Sequence, residues 1–303
     1  MNASRREATQ STLEAVGGAR RGQGRRWWWR LRTSPTGLLG AVIVLCVTAV
    51  VLLASEITPH DPEKIDLQQR LAPPLWAEGG SVAHILGTDQ LGRDVLSRII
   101  LGTRVSLLVG LAGVALAMLT GVFLGVTSGF LGGWWDMLVS RALDTFLAIP
   151  FIILALAVIG VLGVKGGNNM LRLILVLGLA NWVIFTRVVR GEVLAVKERD
   201  YVEAARAIGQ RSWRIMWDYI LPNVMASIIV LGALQISTVI IAEASLSFLG
   251  LGVQPPTITW GIMLADGRDH LATSWWLATF PGLAITVTVL GFILWGDWLR
   301  DVL

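Results

Sequence analysis

Six apolar stretches, each bounded by charged or turn-forming residues, outline this chain: residues 33–55, 105–135, 145–164, 173–186, 219–242 and 271–296. A helix needs roughly 20 apolar residues to cross the hydrocarbon of a bilayer, and all but the fourth meet that length. The fourth lies between Arg172 and Arg187. It crosses if the two guanidinium groups reach to opposite headgroup layers. The pattern predicts an all-α integral membrane protein with six transmembrane helices.

The polar segments set its orientation. Residues 1–32 carry eight arginines against Glu7 and Glu14, whereas residues 56–104 hold seven acidic and five basic side chains. Positive charge favours the cytoplasmic side, so the N-terminus is expected inside and the 56–104 loop outside. Six crossings then return the C-terminus to the cytoplasm. Seven basic residues between Arg187 and Arg214, in the connection from the fourth to the fifth crossing, fall inside by the same count. The tail 1–32 has little to bury and is expected to be disordered, with Trp27, Trp28 and Trp29 as a headgroup-level anchor. Arg25 and Arg26 before an apolar run also fit an export signal, but that run is too extended for a cleaved peptide.

Residues 33–104 thus form the first crossing and an external loop made turn-rich by Pro59, Pro62, Pro73 and Pro74. Residues 105–303 form a five-helix core. Residues 136–144 and 165–169 read as short links, and the segment from Glu243 to His270 as a second external excursion. Pro222 is placed in the first turn of the fifth crossing, where proline is tolerated. Gly121, Gly125 and Gly129 recur every four residues on one helix face, which is read as a close-packing seam.

Composition agrees with this class. Apolar residues make up 54% and charged residues 15%, the mean hydropathy is +0.66, and ordinary globular chains carry about 25% charge. The single cysteine, Cys46, leaves no intramolecular disulfide. The sequence contains no phosphate-binding loop, no H-E-x-x-H pair and no nucleophile elbow. No catalytic residue, no metal ligand and no nucleic-acid contact is therefore assigned. The three histidines, His60, His84 and His270, all fall in predicted external segments. Glu243 is the main ionisable residue near a membrane span and, with Gln254 and Asp266, is a candidate for the binding-protein or pathway side.

The polar island around Asp200 is the strongest candidate for function. Asp200 and Glu203 resemble a capping box, with a helix from Tyr201 to Ile208 and Gly209 as its left-handed stop. Val202, Ala204, Ala205 and Ile208 give it a shallow apolar side. So short a helix cannot bury that side alone and is expected to dock on a protein.

These residues also carry a family resemblance. Glu203-Ala204-Ala205, then Gly209, then Leu221-Pro222 is similar to the E-A-A-x(3)-G-x(9)-I-x-L-P signature of membrane subunits of bacterial ABC importers. The signature's isoleucine falls on Tyr219, with Ile220 next to it. The run from His84 to Asp94, the run from Glu243 to Gly252, Gln254-Pro255-Pro256 and Trp260-Gly261 resemble the C-type permeases of dipeptide and oligopeptide importers. The likeness runs from about Pro35 to Val302.

The resemblance implies a type I ABC importer permease in the bacterial plasma (inner) membrane. Its expected partners are a second homologous permease, two ATPase subunits and an extracytoplasmic solute-binding protein. ATP and Mg are expected in the ATPase subunits, with no cofactor in this chain. Asp200, Glu203, Ala204, Ala205, Ile208, Gly209, Leu221 and Pro222 are the implied ATPase-coupling residues, and peptide import by alternating access is the implied function. Nickel chelates or haem are the alternative cargo, and an ion-coupled self-sufficient carrier is the alternative class.

Overall fold

The structure is a computed structural model in which residues 34–162 and 169–303 are described. The basic tail and most of the 165–169 link lie outside them. The described residues form α1 (Pro35–Ile57), α2 (Val95–Leu131), α3 (Gly133–Ala148), α4 (Phe151–Leu162), α5 (Asn169–Val196), α6 (Asp200–Ala207), α7 (Ser212–Ile215), α8 (Leu221–Phe248), α9 (Trp260–Arg268) and α10 (Trp276–Val302). No strand occurs among them. Five units are long and apolar enough to cross a membrane: α1, α2, α5, the continuous α7–α8 rod and α10. The α3–α4 pair passes the same test together but is bent by 103°.

Several boundaries differ from the sequence reading, each for a local reason. The loop after α1 ends at Asp94, because that carboxylate caps α2: its Oδ2 accepts from the Ser97 N–H at 2.8 Å and from Ser97 Oγ at 2.6 Å. Arg98 and Arg104, read as loop charges, therefore belong to the helix. At its other end α2 stops at Gly132 and Gly133, both at positive φ, so Trp134 and Trp135 start a new helix. The third crossing is broken where Pro150 denies the chain a helical N–H and biases Ile149 to an extended conformation. The fourth is longer than its uncharged run, since Arg172, Arg187 and Arg190 are all helical.

Pro222 sits in the first turn of α8, as expected, but α8 does not start a free helix. It lies within a rod that starts at Ser212, just after a π-helical turn at Met216–Ile220. That wider turn receives a residue that cannot donate to the ladder.

Helix α2, about 55 Å long at 1.5 Å per residue, is the spine. The glycine seam packs it against α5: a Cβ on Gly121 would lie 2.5 Å from the Phe185 Cβ and 2.6 Å from the Trp182 carbonyl oxygen. Gly125 meets Val189 and Gly129 meets Val193. Residue numbers rise together along the seam, so α2 and α5 run parallel, and the bent α3–α4 segment must carry the chain back between them. A Cβ on Gly37, at the start of α1, would meet Trp298 near the end of α10. Val230 and Ala233 of α8 pack with Trp298 and Leu299. The start of α1 and the end of α10 thus lie at the α6 end of the bundle, opposite the loop that caps α2.

Gly121→Val should force overpacking worth about 1–3 kcal/mol, read as a lower thermal unfolding midpoint of the detergent-solubilised chain. The same substitution at Gly160, where an added Cβ meets nothing within 4 Å, should leave the midpoint almost unchanged.

Candidate functional site

At the end of the bundle where α2 and α5 finish, α6 lies across the helix termini. Its first turn carries Asp200 and Glu203, placed favourably for the helix dipole. The capping box is not formed: Arg199 is the N-cap, no side chain caps the helix, and Asp200 is its first residue. The stop is as expected. Gly209 has φ of +78°, its N–H donates to the Arg206 carbonyl at 2.9 Å, and the Gln210 N–H donates to the Ala205 carbonyl at 3.1 Å. That is a Schellman motif.

The apolar side of α6 divides between two uses. Val202 and Ala205 are buried among Phe130, Val193, Val196, Ile215 and Ile220 of the chain itself. Ile208 is 80% exposed, and Glu203, Ala204 and Ala207 are exposed beside it. Further contacts fix the helix in place. Tyr201 stacks on Tyr219 at 6.5 Å, Arg206 lies 5.1 Å above the Phe130 ring, and Lys197 Nζ donates to the Gly129 carbonyl at the end of α2. Nearby, Arg190 binds Asp136 through two nitrogens, with Nη2 to Oδ2 at 2.8 Å.

At the opposite end the loop after α1 folds against α2, α9 and α10. Asp89 is its centre. The carboxylate accepts from the N–H groups of Leu91 at 2.8 Å and Arg93 at 3.0 Å, and from Arg93 Nε at 2.7 Å. Buried Arg98 reaches Asp89 at 3.6 Å and Asp266 of α9 at 3.9 Å, and Arg93 lies 3.9 Å from Asp266 as well. Indole N–H groups bolt the elements together, Trp276 to the Thr88 carbonyl at 3.2 Å and Trp260 to the Ile99 carbonyl at 3.1 Å. A cleft between Glu63, Gln90, Arg93, Arg98, Pro255, Pro256 and Asp266 opens beside this network. Burial pushes the Asp266 carboxyl above its usual range, and Arg98 and Arg93 draw it back only in part.

Comparison with known proteins decides the class. Residues 121–303 match the family described as "Binding-protein-dependent transport system inner membrane component", and residues 22–74 match the "N-terminal TM domain of oligopeptide transport permease C". The chain belongs to the binding-protein-dependent transport permease family. The chain is 43% identical over 277 residues to the dipeptide transport system permease protein DppC of Escherichia coli strain K12, covering 91% of each chain. It is 39% identical to the di/tripeptide permease DppC of Pseudomonas aeruginosa, over 92% of this chain and 91% of that one. A glutathione transport system permease, GsiD of Pectobacterium atrosepticum, is 39% identical over 99% of this chain and 97% of its own. As in these relatives, the chain is an inner-membrane permease subunit of the peptide-transport branch.

Within this permease the predicted site residues separate into two groups. Asp200, Glu203, Ala204, Ala205, Ile208 and Gly209 gather on or beside α6, and Leu221 and Pro222 follow the π turn behind it. Where the family signature has isoleucine, Tyr219 stacks on Tyr201, and the fully buried residue is Ile220.

Of the external candidates, Asp266 joins the arginine network and Gln254 is exposed, with Nε2 donating to the Gly250 carbonyl at 3.0 Å. Glu243 does not begin an excursion. It is fully buried in α8, accepting from Ser247 Oγ at 2.7 Å, because the helix continues six residues past the uncharged run. Arg93, Arg98 and Asp89 were not singled out as site residues. Their signal was a Thr-Asp and Gly-Arg-Asp turn read only as a family mark.

A carboxyl held above its usual range favours the fold when protonated, so its contribution is full below the unfolded pKa and is lost as pH rises through the folded one. Asp266→Asn should accordingly gain thermal stability relative to the wild type over the window that opens above the unfolded carboxylate pKa of about 4. Unfolding midpoints measured across that window check it, and a constant difference would refute the assignment.

Proposed function

We propose that this permease subunit forms, with a second homologous permease, the translocation path of an ATP-driven importer of short peptides. The observation that carries the reading is α6. It is clamped to the bundle by Val202 and Ala205 on one side, while Glu203, Ala204, Ala207 and Ile208 form an exposed face at the end where α2 and α5 finish. Such a face is suited to a groove in an ATPase subunit. The opposite end, where Asp266 meets Arg93 and Arg98, is suited to an extracytoplasmic solute-binding protein.

The topology that goes with this has six crossings, the bent α3–α4 segment counting as one, with both termini and α6 in the cytoplasm. Seven basic residues from Arg187 to Arg214 at the α6 end favour that orientation. ATP binding in two partner ATPases draws the coupling helices together and opens the path outward, and hydrolysis reverses the motion. This chain contributes positioning and displacement only, with ATP and Mg held by the ATPases. Short peptides are the favoured cargo because the relatives named above are permeases for dipeptides, tripeptides and glutathione.

Ile208→Asp is the direct test. The side chain is exposed, so the bundle should fold and reach the membrane unchanged, while ATP-driven peptide uptake by the reconstituted complex should fall at least tenfold and ATPase co-purification should weaken. Uptake at the wild-type rate would overturn the coupling role. Gly209→Pro, which removes both the left-handed residue and the N–H that meets Arg206, should uncouple the complex further.

A further inference from the structure

The loop that caps α2 also brings together three side chains that neither the folding of the loop nor the transport reading requires in combination. His84 Nδ1 lies 2.9 Å from Asp94 Oδ1, and His60 Nδ1 lies 3.8 Å from Asp94 Oδ2. One ligand atom from each of the three residues falls within 4.8 Å of the others. We propose that His60, His84 and Asp94 form a binding site for a first-row divalent cation of the zinc type.

The chemistry of the donors selects the class of ion. Two imidazole nitrogens and one carboxylate oxygen suit zinc and its neighbours, whereas magnesium and calcium take oxygen ligands. Ligand bonds of about 2.0–2.1 Å in a tetrahedral site place the donor atoms about 3.3 Å apart. The two nitrogen–oxygen separations, 2.9 Å from His84 to Oδ1 and 3.8 Å from His60 to Oδ2, lie on either side of that value. Three protein ligands leave one position for water. The cation would bind the Nδ1 lone pair of the neutral His84 imidazole, whose single proton then sits on Nε2.

The surroundings hold the three groups as a metal site requires. Asp94 is oriented by the Ser97 N–H and hydroxyl, and Ser97 Oγ in turn accepts from the His60 N–H at 3.1 Å. One serine thus positions the carboxylate and the backbone of the distal histidine. The side chains of Asp94 and His84 are 2% and 11% exposed, while that of His60 is 42% exposed and gives the ion a way in. The imidazole rings are 4.9 Å apart between centroids. A bound ion would tie the start of the loop to its end across 34 residues of sequence and so fix the surface beside the arginine network. His60 and His84 are 24 residues apart, too irregular a spacing for any sequence motif to announce.

The test uses the full-length chain, purified in detergent without a histidine tag and stripped with chelator. Zinc chloride is titrated against a competing zinc dye, and bound metal is counted after desalting. One zinc per chain is expected, with X-ray absorption showing two imidazoles at about 2.0–2.1 Å. His60→Ala, a change at an exposed ring, should weaken binding at least tenfold while leaving the unfolding midpoint of the metal-free chain unchanged. Asp94→Asn should also weaken it, and magnesium chloride should not compete. Absence of stoichiometric zinc, or equal affinity in wild type and His60→Ala, would overturn the site.

Discussion

The bundle depends on the backbone approach between α2 and α5. Inside a bilayer, lipid tails compete on equal terms with apolar side chains, so helices associate through close packing more than through water exclusion. Gly121, Gly125 and Gly129 supply that closeness by presenting no Cβ to Phe185, Val189 and Val193. Because the two helices run parallel, the seam also dictates what lies between them: the chain must double back, and it does so through the α3–α4 elbow at Pro150. The ends of the same two helices make the platform on which α6 rests, so the seam sets the position of α6.

That platform explains why so small a helix can be rigid. Eight residues would fray in water. Here α6 is fixed by two buried side chains, a Schellman stop, a tyrosine stack and an arginine over an aromatic face. Only one side is committed to the bundle. The same apolar residues that suggest docking to a partner from sequence are shared between an inner anchor and an outer face. A 3.6-residue period locates the stripe but does not say how it is divided.

Much of the architecture was legible in the sequence, and where it was not the causes are specific. Apolar runs located every long helix, and the glycine spacing located the seam. Helix ends were misplaced wherever a charge sits inside a helix, as at Arg98, Arg190 and Glu243, because the two arginines are paired with residues distant in sequence and Glu243 is hydrogen-bonded within its own helix. Asp94 as a cap was hidden for a related reason, since a carboxylate in a loop rich in acids gives no local sign of which one starts a helix. The α6 segment was readable because its chemistry is local: a left-handed glycine and a short charged helix need no tertiary partner to be recognised. The arginine network and the histidine pair were not, since both are assembled from segments that meet only in three dimensions.

The π-helical turn at Met216–Ile220 has a mechanical meaning for the rod it interrupts. The Leu221 N–H reaches back five residues to Met216, and Pro222 then offers no N–H at all. Two successive weak points in the hydrogen-bond ladder lower the bending stiffness of the helix at one place, immediately behind Tyr219 and its stack on α6. A displacement arriving at α6 would meet a hinge near the start of this rod. If α6 takes the coupling role proposed above, α8 would turn about Pro222, and a push on α6 would become a tilt of α8.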